Sequence, residues 1–246
     1  MKLVKTLVAA AALAVSSFTA QASVINVGGV SWDPNAATDF TSQQANVRQF
    51  INPTTGELTG FGLVTGFNGT NVDTFCAGCE MTFQFRGFMP VGGQLIPGLG
   101  QSVNYVGGLI DIFVGPRQIA LTSYNDYNAL SNANTGGTSA QLFLQLRNNY
   151  TFVGTNLGNQ FLTGLGLLDV VGGYAREHFD TNTRSQGADM FFSGGLSFQH
   201  TPLSILDMSG TFSLSGDSVI SAPSSLAVMG LGLLGLAGVA RRKKSA

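Results

Sequence analysis

Two cysteines, two histidines and thirteen acids are the side chains this 246-residue chain offers for covalent, acid–base or metal chemistry. The cysteines stand together as Cys76-Ala77-Gly78-Cys79. In an oxidising compartment such a pair most simply closes one small disulfide ring, and Gly78 gives the turn the backbone freedom it needs. A redox C-x-x-C pair wants a helix N-terminus to lower a thiol pKa, whereas Glu80-Met81-Thr82-Phe83-Gln84-Phe85 alternates like a strand. A zinc site needs four ligands, and His178 and His200 are widely spaced from the cysteines. A Cys76–Cys79 disulfide is therefore the expectation, with redox and metal use as the weaker alternatives.

No other constellation commits to a reaction. His178 sits beside Glu177 and Asp180, a set suited to proton transfer but equally to a solvated loop or strand end. No Gly-x-Ser-x-Gly elbow is present. Asp180-Thr181-Asn182-Thr183 places oxygens at alternate positions as a calcium loop begins, but the glycine at position six and the later bidentate Glu are missing. Scattered acids do not define a glycosidase pair. Gly92-Gly93 and Gly107-Gly108 lack the Lys-Ser/Thr and the helix of a phosphate loop. Trp32, Tyr105, Tyr124, Tyr127, Tyr150 and Tyr174 form either a sugar platform or, more commonly, core and cross-strand pairs; Tyr124-Asn125-Asp126-Tyr127-Asn128 is the best exposed exception. The expectation is a non-enzyme with no catalytic residues, no cofactor and no metal.

The elements that position these residues are strands. Met81, Phe83 and Phe85 alternate with Thr82, Gln84 and Arg86; Ala140, Leu142, Leu144 and Leu146 alternate with Gln141, Gln145 and Arg147. Met190 is in phase with Phe192, and Leu196 with Phe198, across Gly194-Gly195, which reads as a bulge or bend. Phe212 and Leu214 share a face within 211–215, and 57–67 and 105–114 read as further strands. Breaks rich in Gly, Asn, Thr and Ser supply the turns. No convincing amphipathic helix lies between Ser23 and Val219, apart from a possible turn in 126–133, and no fixed-period repeat is visible. The pattern predicts an all-β single domain over 23–215, of β-sandwich or jelly-roll type. Asn132 to Ser139 reads as an exposed loop, and the chain from Gly210 shades into a linker.

The two ends carry addresses. Lys2 and Lys5, an apolar run over 7–15, and Ala20-Gln21-Ala22 make a signal peptide over 1–22, with cleavage before Ser23. At the other end, residues 216–223 form a linker and motif, and 224–240 is a charge-free stretch. Its seventeen residues at about 1.5 Å each reach roughly 26 Å, the low edge of a membrane-spanning helix. Arg241, Arg242, Lys243 and Lys244 follow within 241–246 and stay cytoplasmic by the positive-inside rule. Once both ends are set aside, the body keeps six arginines, no lysine and all thirteen acids, a formal charge of −7. Such a body is a poor partner for nucleic acid or anionic lipid.

A signal peptide followed by a terminal module of short motif, Gly/Leu-rich helix and basic end resembles the PEP-CTERM class of exported proteins. The usual Val-Pro-Glu-Pro motif is matched by Pro223 alone, and Ser221-Ala222-Pro223 with the serines after it resembles a serine-rich variant. Val27-Gly28-Gly29-Val30-Ser31-Trp32-Asp33-Pro34, Cys76-Ala77-Gly78-Cys79-Glu80 and Phe179-Asp180-Thr181-Asn182-Thr183 look like segments shared by a subset of such proteins. The resemblance implies passage through the Sec translocon and signal peptidase, then a precursor anchored in the inner membrane. It also implies recognition of the tail by an exosortase-like enzyme and delivery to the cell surface or matrix. It further implies a structural or adhesion role in extracellular matrix, biofilm or flocculation. The alternative is a secreted carbohydrate-binding module or polysaccharide hydrolase, with extracellular polysaccharide as the partner.

Overall fold

Residues 24–34, 40–93, 98–116, 140–158, 161–198 and 206–219 are described in a computed structural model. The segment read as a signal peptide, with Ala20, Ala22 and Ser23, and the segment read as a sorting tail, with Ser221, Ala222, Pro223 and the basic cluster, lie outside the described residues. So do Tyr124, Tyr127, His200 and the 132–139 loop.

The described chain is all-β, as the alternation requires. After a short hairpin of β1 (Ile25–Val27) and β2 (Val30–Trp32) come β3 (Phe40–Ile51) and β4 (Leu58–Leu63). A side hairpin follows, β5 (Gly66–Phe67) and β6 (Thr70–Asn71), leading into the single-turn helix α1 (Val72–Phe75). Next are β7 (Cys79–Pro90), β8 (Ser102–Val106) and β9 (Leu109–Pro116). The long strands β10 (Gln141–Gly158) and β11 (Phe161–Gly172) precede the helical turn α2 (Arg176–Phe179). β12 (Met190–Phe198) and β13 (Leu206–Gly216) complete the order.

Two packed sheets are not what these strands make. Neighbours pair antiparallel around one sheet, and β13 pairs with β3 as well as with β12, so the sheet closes on itself. β8 and β9 both lie between β7 and β10 and share one position, which leaves eight strand positions in an up-and-down barrel. The sandwich expectation is thus corrected. Period-two alternation reports only one buried face per strand, a property both architectures share. Two smaller expectations change as well. Gly194-Gly195 runs in unbroken register between β11 and β13, without a bulge. Residues 210–216 belong to β13 rather than to a linker.

The bends that close the barrel lie elsewhere. Gly87 in β7, Gly107 and Gly108 between β8 and β9, and Tyr150 in β10 all have positive φ and sit on adjacent strands. A Cβ on Gly107 would stand 3.2 Å from the Gly87 carbonyl oxygen, so the two strands turn this corner only because both residues are glycine. Glu57 satisfies the bulge, accepting the Gly87 N–H at 2.9 Å.

An eight-stranded barrel is just wide enough for side chains to fill. Here Phe83, Phe85, Phe88, Phe152, Phe192 and Phe212 fill the bore, joined by Ile110, Ile112, Leu144, Leu146, Leu168 and Met208. Rings contact one another along the axis, as in Phe83–Phe212 at 4.3 Å and Phe152–Phe192 at 4.9 Å between centroids. Inward glycines make room for them: the Phe85 ring occupies the place of a Gly60 Cβ, and the Phe152 ring that of Gly166. Among the described residues, two cavities of about 30 and 20 Å³ lie beside Gln49, Leu58, Phe152 and Phe192. Each is of a size for water rather than for a ligand.

Adding a methyl group at Gly60 must push the Phe85 ring off its rotamer. Gly60→Ala is expected to lower unfolding free energy by about 1–3 kcal/mol, against about 0.5 kcal/mol or less for the exposed outer-face change Thr211→Ala. Urea titration measures both, and equal costs would contradict the ring-over-glycine packing.

Candidate functional site at the capped end

One end of the barrel is closed by a plug built from segments far apart in sequence. The β1–β2 hairpin turns at Gly28-Gly29, both at positive φ, as a two-residue hairpin loop demands. This aims Trp32 inward, where it is 2 % exposed. Trp32 stacks on Phe179 at 5.3 Å, meets His178 edge-on at 5.3 Å and tilts against Phe67 at 5.7 Å. Phe40, Phe143 and Phe75 complete the cluster. Phe143 joins it because a register shift between Leu142 and Leu144 turns it out of the wall's alternation.

Cys76 and Cys79 are disulfide-bonded at this same end, with Cα atoms 5.2 Å apart. Cys76 is fully buried and caps the C-terminus of α1, while Cys79 opens β7. A thiolate gains nothing from a helix C-terminus, so the placement suits a structural clip. Closing a ring this small contributes about 2 kcal/mol on the loop-entropy model. The N-cap of α1 is Asn71, whose side chain accepts the Thr74 N–H at 3.2 Å.

The second half of the plug is the stretch from Gly173 to Asp189. Asp189 is 2 % exposed, yet its carboxylate is fully engaged. Oδ1 accepts the N–H groups of Thr181 and Asn182 at 2.7 and 2.6 Å, and Oδ2 accepts that of Val170 at 2.7 Å. The 180–183 stretch that resembled the start of a calcium loop thus presents N–H donors inward, and Asp180 pairs with Arg176 at 2.8 Å. His178 is also committed. Its Nδ1 lies 3.1 Å from the Val219 carbonyl, which can only accept, so Nδ1 carries the proton. The His178 carbonyl in turn accepts the Val219 N–H at 2.8 Å.

The sequence candidates therefore divide. Cys76, Cys79, Trp32, Tyr174, His178 and Asp180 meet at the capped end, and so do the three body segments around 27–34, 76–80 and 179–183. Tyr105 is buried in the bore and Tyr150 is 72 % exposed on the outer bulge, so no aromatic platform assembles from them. Among the described residues no group of three or more His, Cys, Asp and Glu is placed to hold a metal ion. Asp189 escaped attention in the sequence, although an acid at the head of Met190-Phe191-Phe192 signals a buried carboxylate that needs donors. Nothing local marked Ser218 or Val219.

A different feature lies on the outer wall. Thr41, Thr163, Ser193, Thr211 and Ser213, with Leu165 at the edge, line an open recess of about 540 Å³ over Gly194 and Gly195. No titratable group lines it. Elsewhere the wall carries an ion pair: Asp111, 3 % exposed, is bonded by Arg86, and it also accepts from Gln145 Nε2 at 2.8 Å. Among the described residues no helix is long and apolar enough to cross a membrane, a statement about helices alone. Comparison with family models, with curated proteins and with solved structures finds no match for the chain.

Burial raises the pKa of two tyrosines. Tyr174, half-buried between Gly28 and Phe143, is pushed up to about 12, and Tyr105 is raised by burial in the bore. The protonated phenol is the form the fold prefers, so its contribution is complete below the unfolded value near 10 and is lost as pH climbs through the folded one. Stability is expected to fall between pH 10 and about 12, and absorbance titration at alkaline pH should show late-ionising tyrosine that turns normal in denaturant. All five tyrosines titrating together near 10 in the native protein would contradict this.

Proposed function

We propose that this chain is an exported, surface- or matrix-directed structural or adhesion protein, delivered through a signal peptide and a C-terminal sorting tail of PEP-CTERM type. The observation that carries the reading is the charge-free 224–240 stretch followed at once by Arg241, Arg242, Lys243 and Lys244. Four consecutive cations have no use in a core helix, and they are what a stop-transfer segment wants on the cytoplasmic side. The barrel fits a display role. Its bore is packed with rings, its reactive side chains are spent on holding the plug together, and it is clipped by a disulfide suited to an oxidising compartment. In this reading residues 1–22 are removed by signal peptidase, the precursor hangs in the inner membrane by residues 224–240, and an exosortase-like enzyme acts near Ser221-Ala222-Pro223.

Fractionation of producing cells with mass spectrometry of the C-terminus tests this. The precursor should partition with inner membrane, and the surface or matrix form should start at Ser23 and lack 224–246. A chain recovered intact from the cytoplasm would refute it.

A second reading, a carbohydrate-binding module, is favoured by the hydroxyl-lined recess of Thr41, Thr163, Ser193, Thr211 and Ser213. Uncharged hydroxyls in register across neighbouring strands suit a neutral polysaccharide. On a glycan array the full-length protein would then retain neutral glycans, and Ser193→Trp, which fills the recess, would abolish retention. Retention unaffected by Ser193→Trp would exclude the recess.

A further inference from the structure

We infer that the capped end is the face the barrel turns toward the bilayer, and that Asp217 to Val219 form the strap that fixes it there; this rests on the membrane reading of residues 224–240. Three consecutive residues engage the plug. Arg184 reaches Asp217 at 3.8 Å, the Trp32 indole N–H donates to Ser218 Oγ at 3.2 Å, and Val219 exchanges two hydrogen bonds with His178 at 2.8 and 3.1 Å. A linker that merely left the barrel after β13 would make none of these contacts. Val219 is nonetheless 45 % exposed, so it is held by polar bonds and not by burial.

The strap shortens the tether. Four residues, 220–223, separate Val219 from Ser224. Five steps of extended chain span at most about 18 Å, well under the length of twelve-residue β11, which is about 40 Å. The capped end must therefore lie close to the start of the apolar stretch, and the barrel cannot turn its far end to the same surface. The far end then faces outward, with Met89 at the end of β7 and Val91 and Leu99 of the β7–β8 connection exposed on it.

Among the described residues, the charged groups of the capped end give it little grip of its own on anionic lipid. Asp33, Asp73, Glu177, Asp180 and Asp217 surround it, while Arg176 and Arg184 are drawn to Asp180 and Asp217. An acidic face does not adhere to anionic headgroups. The hold is covalent and directional, and a cut on the C-terminal side of Val219 frees the barrel completely.

Two measurements on the purified full chain test this. Val219→Pro deletes the N–H that His178 accepts, and His178→Phe keeps a ring over Trp32 while removing Nδ1. Both should be cleaved within 217–223 by an added protease roughly tenfold faster than the parent, with an unchanged thermal midpoint; parental rates in both would overturn the strap. In phosphatidylcholine–phosphatidylglycerol vesicles, headgroup-nitroxide lipid should quench Trp32, the only tryptophan, and adding a far-end reporter by Leu99→Trp, with Trp32 and its bond to Ser218 kept, should lower the quenched fraction. A quenched fraction that rises instead would overturn the orientation alone. Failure of the chain to float with vesicles would sink the membrane reading and the orientation with it, while the protease result would still decide the strap.

Discussion

The pairing of β13 with β3 is the constraint on which the rest depends. An open sheet of these strands would leave two edges of unpaired N–H and C=O groups and one apolar face without a cover. Closure removes both liabilities at once, but it fixes the bore at the width of eight strands. Every inward residue must then suit a narrow cylinder. That is why glycine and phenylalanine alternate so often across the wall, with Gly60 under Phe85, Gly164 and Gly166 under Phe152, and Gly108 against Phe88. Glycine abundance here is a packing requirement as much as a turn requirement.

Closure also leaves an open end, and the plug answers it. No single element of the plug has a core of its own: β1–β2 is a three-residue ladder, and α1 and α2 are single turns. Each is held by what it packs on. Trp32 ties the hairpin to Phe179, the disulfide ties α1 to β7, and Asp189 ties the loop after α2 to β11 through three backbone N–H groups, that of Val170 buried. Loss of this carboxylate would strand the buried Val170 N–H and release the part-buried Thr181 and Asn182 N–H groups.

Much of the wall was legible in the residues. The 81–86 alternation, the 211–215 alternation and the Met190–Phe192 phase each name the inward side correctly, because burial of one face is what period two records. Closure was not legible, since it is decided by where strands bend. The bends fall at Gly87, Gly107-Gly108 and Tyr150, and only the strand pairing shows that these positions lie side by side. Gly194-Gly195 looked like the better bend and is straight. At the capped end the cysteine clip was visible from two residues three apart. The meeting of 27–34, 76–80 and 179–183 was not, because convergence of distant segments leaves no local trace.

The radial polarity of the barrel bears on the membrane reading proposed above. Barrels that cross lipid turn an apolar band outward and keep the bore polar. Here Phe, Leu and Ile fill the bore, while the outer wall mixes Thr, Ser and the Arg86–Asp111 pair with exposed Leu165 and Phe191. Inserting such a wall in hydrocarbon would bury hydroxyls and charges whose partners are water or each other, at several kcal/mol each. The proposed attachment accordingly comes through a segment leaving the wall. The described chain leaves by way of Val219, at the plugged end and under two hydrogen bonds to His178. On the reading proposed above, a strap at that exit converts a flexible tether into a defined orientation.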